Sequence, residues 1–245
     1  MYLRIADEYR SKILNGTLPG DSKLPSESEL MVEYGVSRIV ARRALDILRH
    51  EGLVVSYPGK GSYVKSVRRI VRDTANRYSR HRAGSTSPFK SDTAQSGQQG
   101  GWDYDSKRLK ANDAIAARLA IEPGDAVMMT TYLYRANGEP VQLSTSYEPL
   151  AITGGTPVEF PEDGAAVGVI ARMDSIGVPV TNVVEKVTAR AARPNESERL
   201  KLSAQGSYVL VIDRTHYASA RPVETCDIVF PGDRYELTYT IPVDD

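Results

Sequence analysis

Between residues 24 and 64 the chain reads LPSESELMVEYGVSRIVARRALDILRHEGLVVSYPGKGSYV, two helix starts, two helix stops and a hairpin in one uninterrupted run. Ser26, with Glu29 three residues later, is a capping-box pair, each side chain accepting the other's otherwise unpaired backbone N–H. Leu30, Met31 and Tyr34 then fall on one side of the helix this pair starts, and Gly35 stops it. Ser37 opens another helix, in which Val40, Ala44, Ile47 and Leu48 recur at helical spacing. Arg38, Arg42, Arg43 and Arg49 are left on its outside, and Gly52 ends it. An earlier helix is predicted from Tyr2, Ile5, Ala6, Tyr9, Ile13 and Leu14, closed by Asn15-Gly16 and followed by a Pro19-Gly20 turn. Two β-rich stretches, 53–57 and 62–65, flank Pro58-Gly59-Lys60-Gly61 and predict a hairpin with a basic, glycine-rich tip. Helix, helix, tight turn, helix and hairpin together predict a winged helix-turn-helix.

Charge follows the same division. The 245 residues carry 31 Lys/Arg and 31 Asp/Glu, but residues 1–82 hold 16 basic against 9 acidic side chains and residues 83–245 hold 15 against 22. Such asymmetry points to a polyanion at the front of the chain. Forty-one per cent apolar residues suffice for two modest cores. No apolar run approaches the ~18–20 residues of a membrane span, and MYLRIADEYR has charges from its fourth residue, unlike a secretory leader. A soluble protein of a reducing cytoplasm is expected. The single cysteine, Cys226, cannot form an internal disulfide or a multi-thiolate site. His50, His81 and His216 lack paired ligand spacing and read as surface or structural residues, so no metal or cofactor is expected.

The chemistry of the third helix suits nucleic acid. Arg38 and Arg42, four apart, share one face near the helix start, and arginine is shaped to meet guanine O6 and N7 with two hydrogen bonds. Ser37 and the free N–H groups of the helix start suit a phosphate. Lys60 can reach a neighbouring phosphate, and Gly59 and Gly61 let the backbone approach closely. The competing reading is an ordinary three-helix core with solvated arginines.

From Ser66 the apolar signal fades. Arg68, Arg69, Arg72, Arg77, Arg80 and Arg82 read as a basic connector, and GSTSPFKSDTAQSGQQGG (84–101) as a flexible tract. The expected organisation is a DNA-binding domain over 1–66, a linker over 67–101 and a second domain over 102–245. In that domain helices are predicted near 112–120, 165–176 and starting at Pro194. Strands are predicted near 126–135, 140–147, 180–192, 208–217, 223–229 and 234–241, the first two joined by Asn137-Gly138. The fold class is therefore α+β, its second part an antiparallel sheet with helices on one side.

The run 24–64 resembles the winged helix-turn-helix of the GntR family of bacterial repressors, and the resemblance extends over 3–65. It implies that Arg38 and Arg42 read bases, with Arg43 beside them on the same helix, that Ser37 meets a phosphate, and that Gly59, Lys60 and Gly61 form the wing tip. Ser28 stands where relatives often carry a basic residue, and Pro58 where many have a polar one. Three later runs, RANGEPVQLSTSY (135–147), KVTARAARPNESERLKL (186–202) and RPVETCDIVFPGDRYEL (221–237), resemble the UTRA domain of the HutC subfamily, which shares the chorismate-lyase fold. By that resemblance the effector site includes Tyr132, Tyr134, Ser144, Glu224 and the aromatic Phe230, while Arg190 and Arg214 lie on strands that could face a ligand. Tyr132 and Tyr134 occupy the places of an arginine pair that grips phosphate in phosphosugar-sensing relatives, and Ser144 that of a glutamate. Without the pair, a less anionic effector is expected.

The implied function is a homodimeric repressor that binds an inverted-repeat operator on double-stranded DNA and responds to a small molecule. One alternative is a dedicated repressor without a ligand, such as those controlling mobile-element transfer, its second domain serving dimerisation. A remote one is a chorismate-lyase-like enzyme, for which no nucleophile–base pair is present.

Overall fold

The computed structural model describes residues 1–66, 69–80, 86–164, 166–202 and 207–241. Arg68, His81, Arg82 and Ala165, named above, lie outside the described residues. The chain divides into two compact units, Met1–Arg68 and Arg69–Asp245.

In the first unit, α1 (Tyr2–Leu14), α2 (Glu27–Tyr34) and α3 (Arg38–His50) precede a hairpin of β1 (Val54–Tyr57) and β2 (Gly61–Val64). The capping box forms: Ser26 Oγ accepts from Glu29 N at 3.2 Å, and Glu29 Oε2 accepts from Ser26 N at 2.7 Å. Gly35 takes φ 62°, ψ 40°, a left-handed cap that reverses the chain within two residues. Helix α3 buries Ala41, Ala44, Leu45 and Leu48. The buried stripe is thus turned slightly from the expected one, with Val40 and Ile47 half-buried at its edge. These residues meet Ile5, Ala6 and Tyr9 of α1, Leu30 of α2, and Val54 and Val64 of the hairpin in one core.

The second unit opens with β3 (Ile70–Asp73), α4 (Thr74–Arg77), α5 (Pro88–Gln95) and β4 (Gly100–Lys110). It continues through α6 (Asp113–Leu119), β5 (Ala126–Ala136), β6 (Glu139–Pro149), α7 (Leu150–Thr153) and α8 (Val169–Ser175). β7 (Asn182–Ala191), α9 (Pro194–Arg199), β8 (Tyr208–Ala218), β9 (Arg221–Pro231) and β10 (Tyr235–Thr238) complete it. Six strands form one antiparallel sheet in the order β4-β5-β6-β9-β8-β7. Helices cover both of its faces rather than one. Ile115, Ala116 and Leu119 of α6 pack with Val127 and Tyr147, and Leu200, after α9, with Leu143, Val209 and Val229. The opposite face carries Phe89 of α5 and Tyr235 of β10.

Within the linker expected over 67–101, the described residues 69–80 and 86–101 form folded chain. β3 pairs in parallel with β10, Ile70 opposite Tyr235, so the strand expected near 234–241 lies outside the main sheet. Ser87 caps α5 with Pro88 in its first turn, and Phe89 is only 2% exposed. Gly100 is a close-approach residue, since a Cβ there would stand 2.4 Å from Thr93 Oγ1. Serine and glycine density therefore marked a cap and a tight contact, not slack. Three arginines of this stretch are anchored as well. Arg72, 1% exposed, donates to Glu185 of β7 at 2.8 Å and to Tyr78 at 2.9 Å, Arg77 pairs with Asp92, and Arg80 meets Asp174 at 3.0 Å.

Candidate DNA-reading face and effector cavity

Arg38 and Arg42 project together from α3, their side chains 67% and 60% exposed. Both reach back to Glu27 at the start of α2: Arg38 Nε to Oε2 at 3.0 Å, Arg42 Nε to Oε1 at 2.8 Å. Arg42, and then Arg38, hold the Glu27 carboxyl below the usual carboxylate range against its slight burial. Glu27 went unnoticed in the sequence because it lies on α2, across the Gly35 turn from the arginines of α3, and spacing within one helix says nothing of such a partner. Ser37 occupies the N-cap position but makes no side-chain cap bond. Arg43 is not grouped with the pair: its guanidinium stacks 4.5 Å from the Tyr2 ring centroid. Ile39, between Arg38 and Arg42, is 78% exposed, a second residue the periodicity gave no reason to single out. At the hairpin tip Gly59 and Gly61 have φ 73° and 104°, and Lys60 is exposed.

The second unit contains a cavity of about 140 Å3 on the α5/α8 face of the sheet. Alternation places its floor: side chains two apart on a strand share a face. Tyr132 and Tyr134 of β5 lie opposite Ser144 and Gln142 of β6, and Ser146 opposite Cys226 of β9. Arg214 and Glu224, on β8 and β9, complete the expected cluster. Arg190 and Phe230 do not belong to it. Arg190 pairs in register with Val209, on the far face, and binds Glu196 at 2.6 and 2.7 Å. Phe230 has the right parity but is wholly buried beneath Tyr235, ring centroids 4.3 Å apart.

Two buried polar groups organise the floor. Glu148 and Arg172, 1% and 3% exposed, form a two-pronged pair at 2.6 and 2.9 Å. Glu224, fully buried, accepts from Ser146 Oγ at 2.7 Å, Arg214 Nη2 at 3.0 Å and His216 Nδ1 at 2.8 Å. Burial opposes its ionisation, but Arg214, then His216 and Ser146, outweigh burial and hold the carboxyl down at about 2. Burial and then Arg214 lower the His216 pKa, so the ring is neutral and donates Nδ1–H to Glu224. Burial also pushes the Cys226 thiol up to about 12, an inert thiol 3.2 Å from Ser144 Oγ.

Both lowered values make stability depend on pH in the same direction. Unfolded glutamate and histidine titrate near ~4.3 and ~6.5, so the unfolded chain binds more protons and stability rises with pH. The melting temperature should fall as pH drops below about 6.5, and again below about 4.3. In Glu224→Gln the lower descent should flatten. Because the raised Glu148 carboxyl contributes with the opposite sign above about 4.3, the variant decides the matter: an unaltered lower slope in Glu224→Gln would refute the assignment.

Loss of the arginine pair at positions 132 and 134 does not leave the cavity without cations; besides the expected Arg214 it holds two that no local pattern marked. Arg77, Arg172 and Arg214 all line it, each matched to its own acid, Asp92, Glu148 and Glu224. Gln142, Ser146 and Glu148 were within reach of alternation from Ser144. Phe89 and Trp102 were missed because the first lies inside the stretch read as linker and the second directly after it.

An exposed basic face on a winged helix and a separate ligand-sized cavity define a DNA-binding transcription regulator with a ligand-binding domain. Residues 1–64 match the bacterial regulatory proteins of the gntR family, and residues 104–236 match the UTRA domain. The chain belongs to the UTRA-bearing branch of the GntR family of bacterial transcription regulators. It is 28% identical to the HTH-type transcriptional repressor NagR of Bacillus subtilis, covering 98% of this chain and 93% of that one. It is 27% identical to the histidine utilization repressor of Pseudomonas putida, covering 97% and 90%. A crystal structure assigned to the GntR family shares 44% identity with a TM-score of 0.69, covering 99% of this chain and 98% of that one. No helix among the described residues is long and apolar enough to cross a membrane.

Proposed function

We propose that the chain is a cytoplasmic, homodimeric repressor that binds an inverted-repeat operator and changes its affinity when a small molecule fills the cavity. One observation carries the ligand response: the chain that continues from the winged helix builds the cavity wall. Arg77, Tyr78 and Ser79 line the cavity, and Arg72 and Tyr78 tie the same segment to Glu185. A ligand that packs differently against two positions of this wall shifts the balance between them. The dimer follows from symmetry, since two copies of α3 reading one duplex require a two-fold site.

At the operator, Arg38 and Arg42 exchange Glu27 for base edges, Ile39 faces a thymine methyl, and Ser37 and Lys60 meet phosphates. Arg43 acts through α1 rather than on a base. The effector is not a phosphosugar, because all three cavity arginines already hold internal carboxylates. The same self-sufficiency favours, as a second reading, a dedicated repressor whose cavity stays structural.

Selection of bound duplexes from random DNA should return an inverted repeat, and two variants should then fail differently on it. Lys60→Ala should weaken operator and random DNA alike and reduce the salt slope by ~1. Arg38→Ala should lose ~1–3 kcal/mol on the operator and relax preference at one base position. Equal loss by Arg38→Ala on operator and random DNA would remove it from base reading.

A further inference from the structure

The polar side of the cavity is neutralised from within, but one wall is not. Phe89, Trp102, Tyr132 and Tyr134 gather there in one aromatic cluster. Tyr132 and Tyr134 stack with centroids 5.4 Å apart and planes at 21°, and Tyr134 lies 5.9 Å from Trp102 and 4.7 Å from Phe89. Beside them stands Glu162, half-exposed, which accepts from Trp102 Nε1 at 3.0 Å. Its neighbours at this wall, Trp102 and Tyr132, are uncharged, and no described cation stands within ion-pair distance of it. With Arg77, Arg172 and Arg214 matched to Asp92, Glu148 and Glu224, and His216 neutral, Glu162 is, among the described residues, the one charge lining the cavity without an ionic partner.

Ring faces present negative potential, and weakly hydrated alkylated ammonium groups leave water for such faces most readily. A carboxylate at the edge of the rings adds Coulombic attraction that partial burial strengthens. An anion meets the opposite: π-faces, an unmatched carboxylate and arginines already engaged. The wall already attracts one cation, since Lys90, exposed and outside the lining, places Nζ 5.1 Å from the Trp102 centroid. Deeper in, the hydroxyls of Ser144 and Ser146 and the amide of Gln142 offer hydrogen bonds to a small polar tail.

We propose that the cavity takes a small organic cation with an alkylated ammonium head, seated on the Tyr132–Tyr134–Trp102 wall beside Glu162. This assignment rests on reading the cavity as the effector site.

Three probes test it on the full chain at matched ionic strength: choline, its neutral isostere with a tert-butyl group in place of trimethylammonium, and glucose-6-phosphate. Binding is read by melting temperature and calorimetry, and operator affinity is read separately in the same samples. Choline should stabilise the chain saturably, and the isostere should bind at least roughly tenfold more weakly. Glu162→Gln should remove most of that preference while leaving the unliganded melting temperature in place, because Glu162 is half-exposed. Lys90→Gln should tighten choline by relieving competition for the Trp102 face. Equal binding of choline and isostere, stabilisation by glucose-6-phosphate alone, or no response to choline at high millimolar concentration would each overturn the cation assignment. If the isostere or the phosphosugar binds and shifts operator affinity, the effector site stands and only the ligand class falls. If choline binds through Glu162 without altering operator affinity, the ligand class stands and the regulatory reading falls.

Discussion

Replacing Arg172 by methionine should cost the second unit about 3–5 kcal/mol at neutral pH. The guanidinium is the counter-charge of Glu148, both side chains are nearly inaccessible, and it also donates to Val158 O. Removing it strands a carboxylate whose pKa burial already raises. The sign of the pH dependence follows. A carboxyl raised in the folded state binds more protons there than when unfolded, so its stability contribution is intact below about 4.3 and lost as pH rises. The deficit of Arg172→Met should therefore shrink towards acid pH, as Glu148 takes up a proton. Glu148→Leu combined with Arg172→Met should recover much of the loss, because a buried pair replaced by apolar groups is often neutral. Denaturant titrations at two pH values decide the matter: a deficit below about 1 kcal/mol, or one independent of pH, would show that the pair is already solvated.

The second large effect concerns separation of the units. A fragment of residues 1–68 should fold, because its core is complete within Met1–Arg68. It should be monomeric and bind the operator about 10²–10⁴ times more weakly than the full chain, having lost the avidity of a linked pair of reading heads. It should also be indifferent to any cavity ligand that alters the full chain's affinity. Sedimentation and operator titration of the two proteins in the same salt would check this. A fragment that dimerises and matches full-length affinity would move the dimer contact into the winged helix.

What could be read in advance divides along the range of the interactions. The winged helix was legible because its determinants are local: Ser26 with Glu29, Gly35, Ser37 and the 58–61 tip each act within a few residues. The cavity was half legible, since alternation brings Tyr132, Tyr134 and Ser144 to one face once their strands are recognised. The segment after residue 66 was misread because what orders it lies far along the chain. Arg72 meets Glu185 across 113 residues, and Arg80 meets Asp174 across 94. No periodicity reports such a partner, and an isolated arginine among serines and glycines looks like solvated linker until its acid is located. Phe230 failed for a related reason. Parity predicts the face of a strand, but not that Tyr235 lies over that part of it.

The parallel pairing of β3 with β10 has a consequence for synthesis on the ribosome. β3 is made early in the second unit and β10 last among the described elements, with Ile70 waiting for Tyr235. The winged helix, whose contacts are local, can fold as soon as it leaves the exit tunnel. The stretch after it can only lock when translation of the domain is almost finished. Until then a nascent chain carries a competent DNA-reading head on an unfastened tether, so a truncated or stalled product would still bind DNA, weakly and without control by ligand.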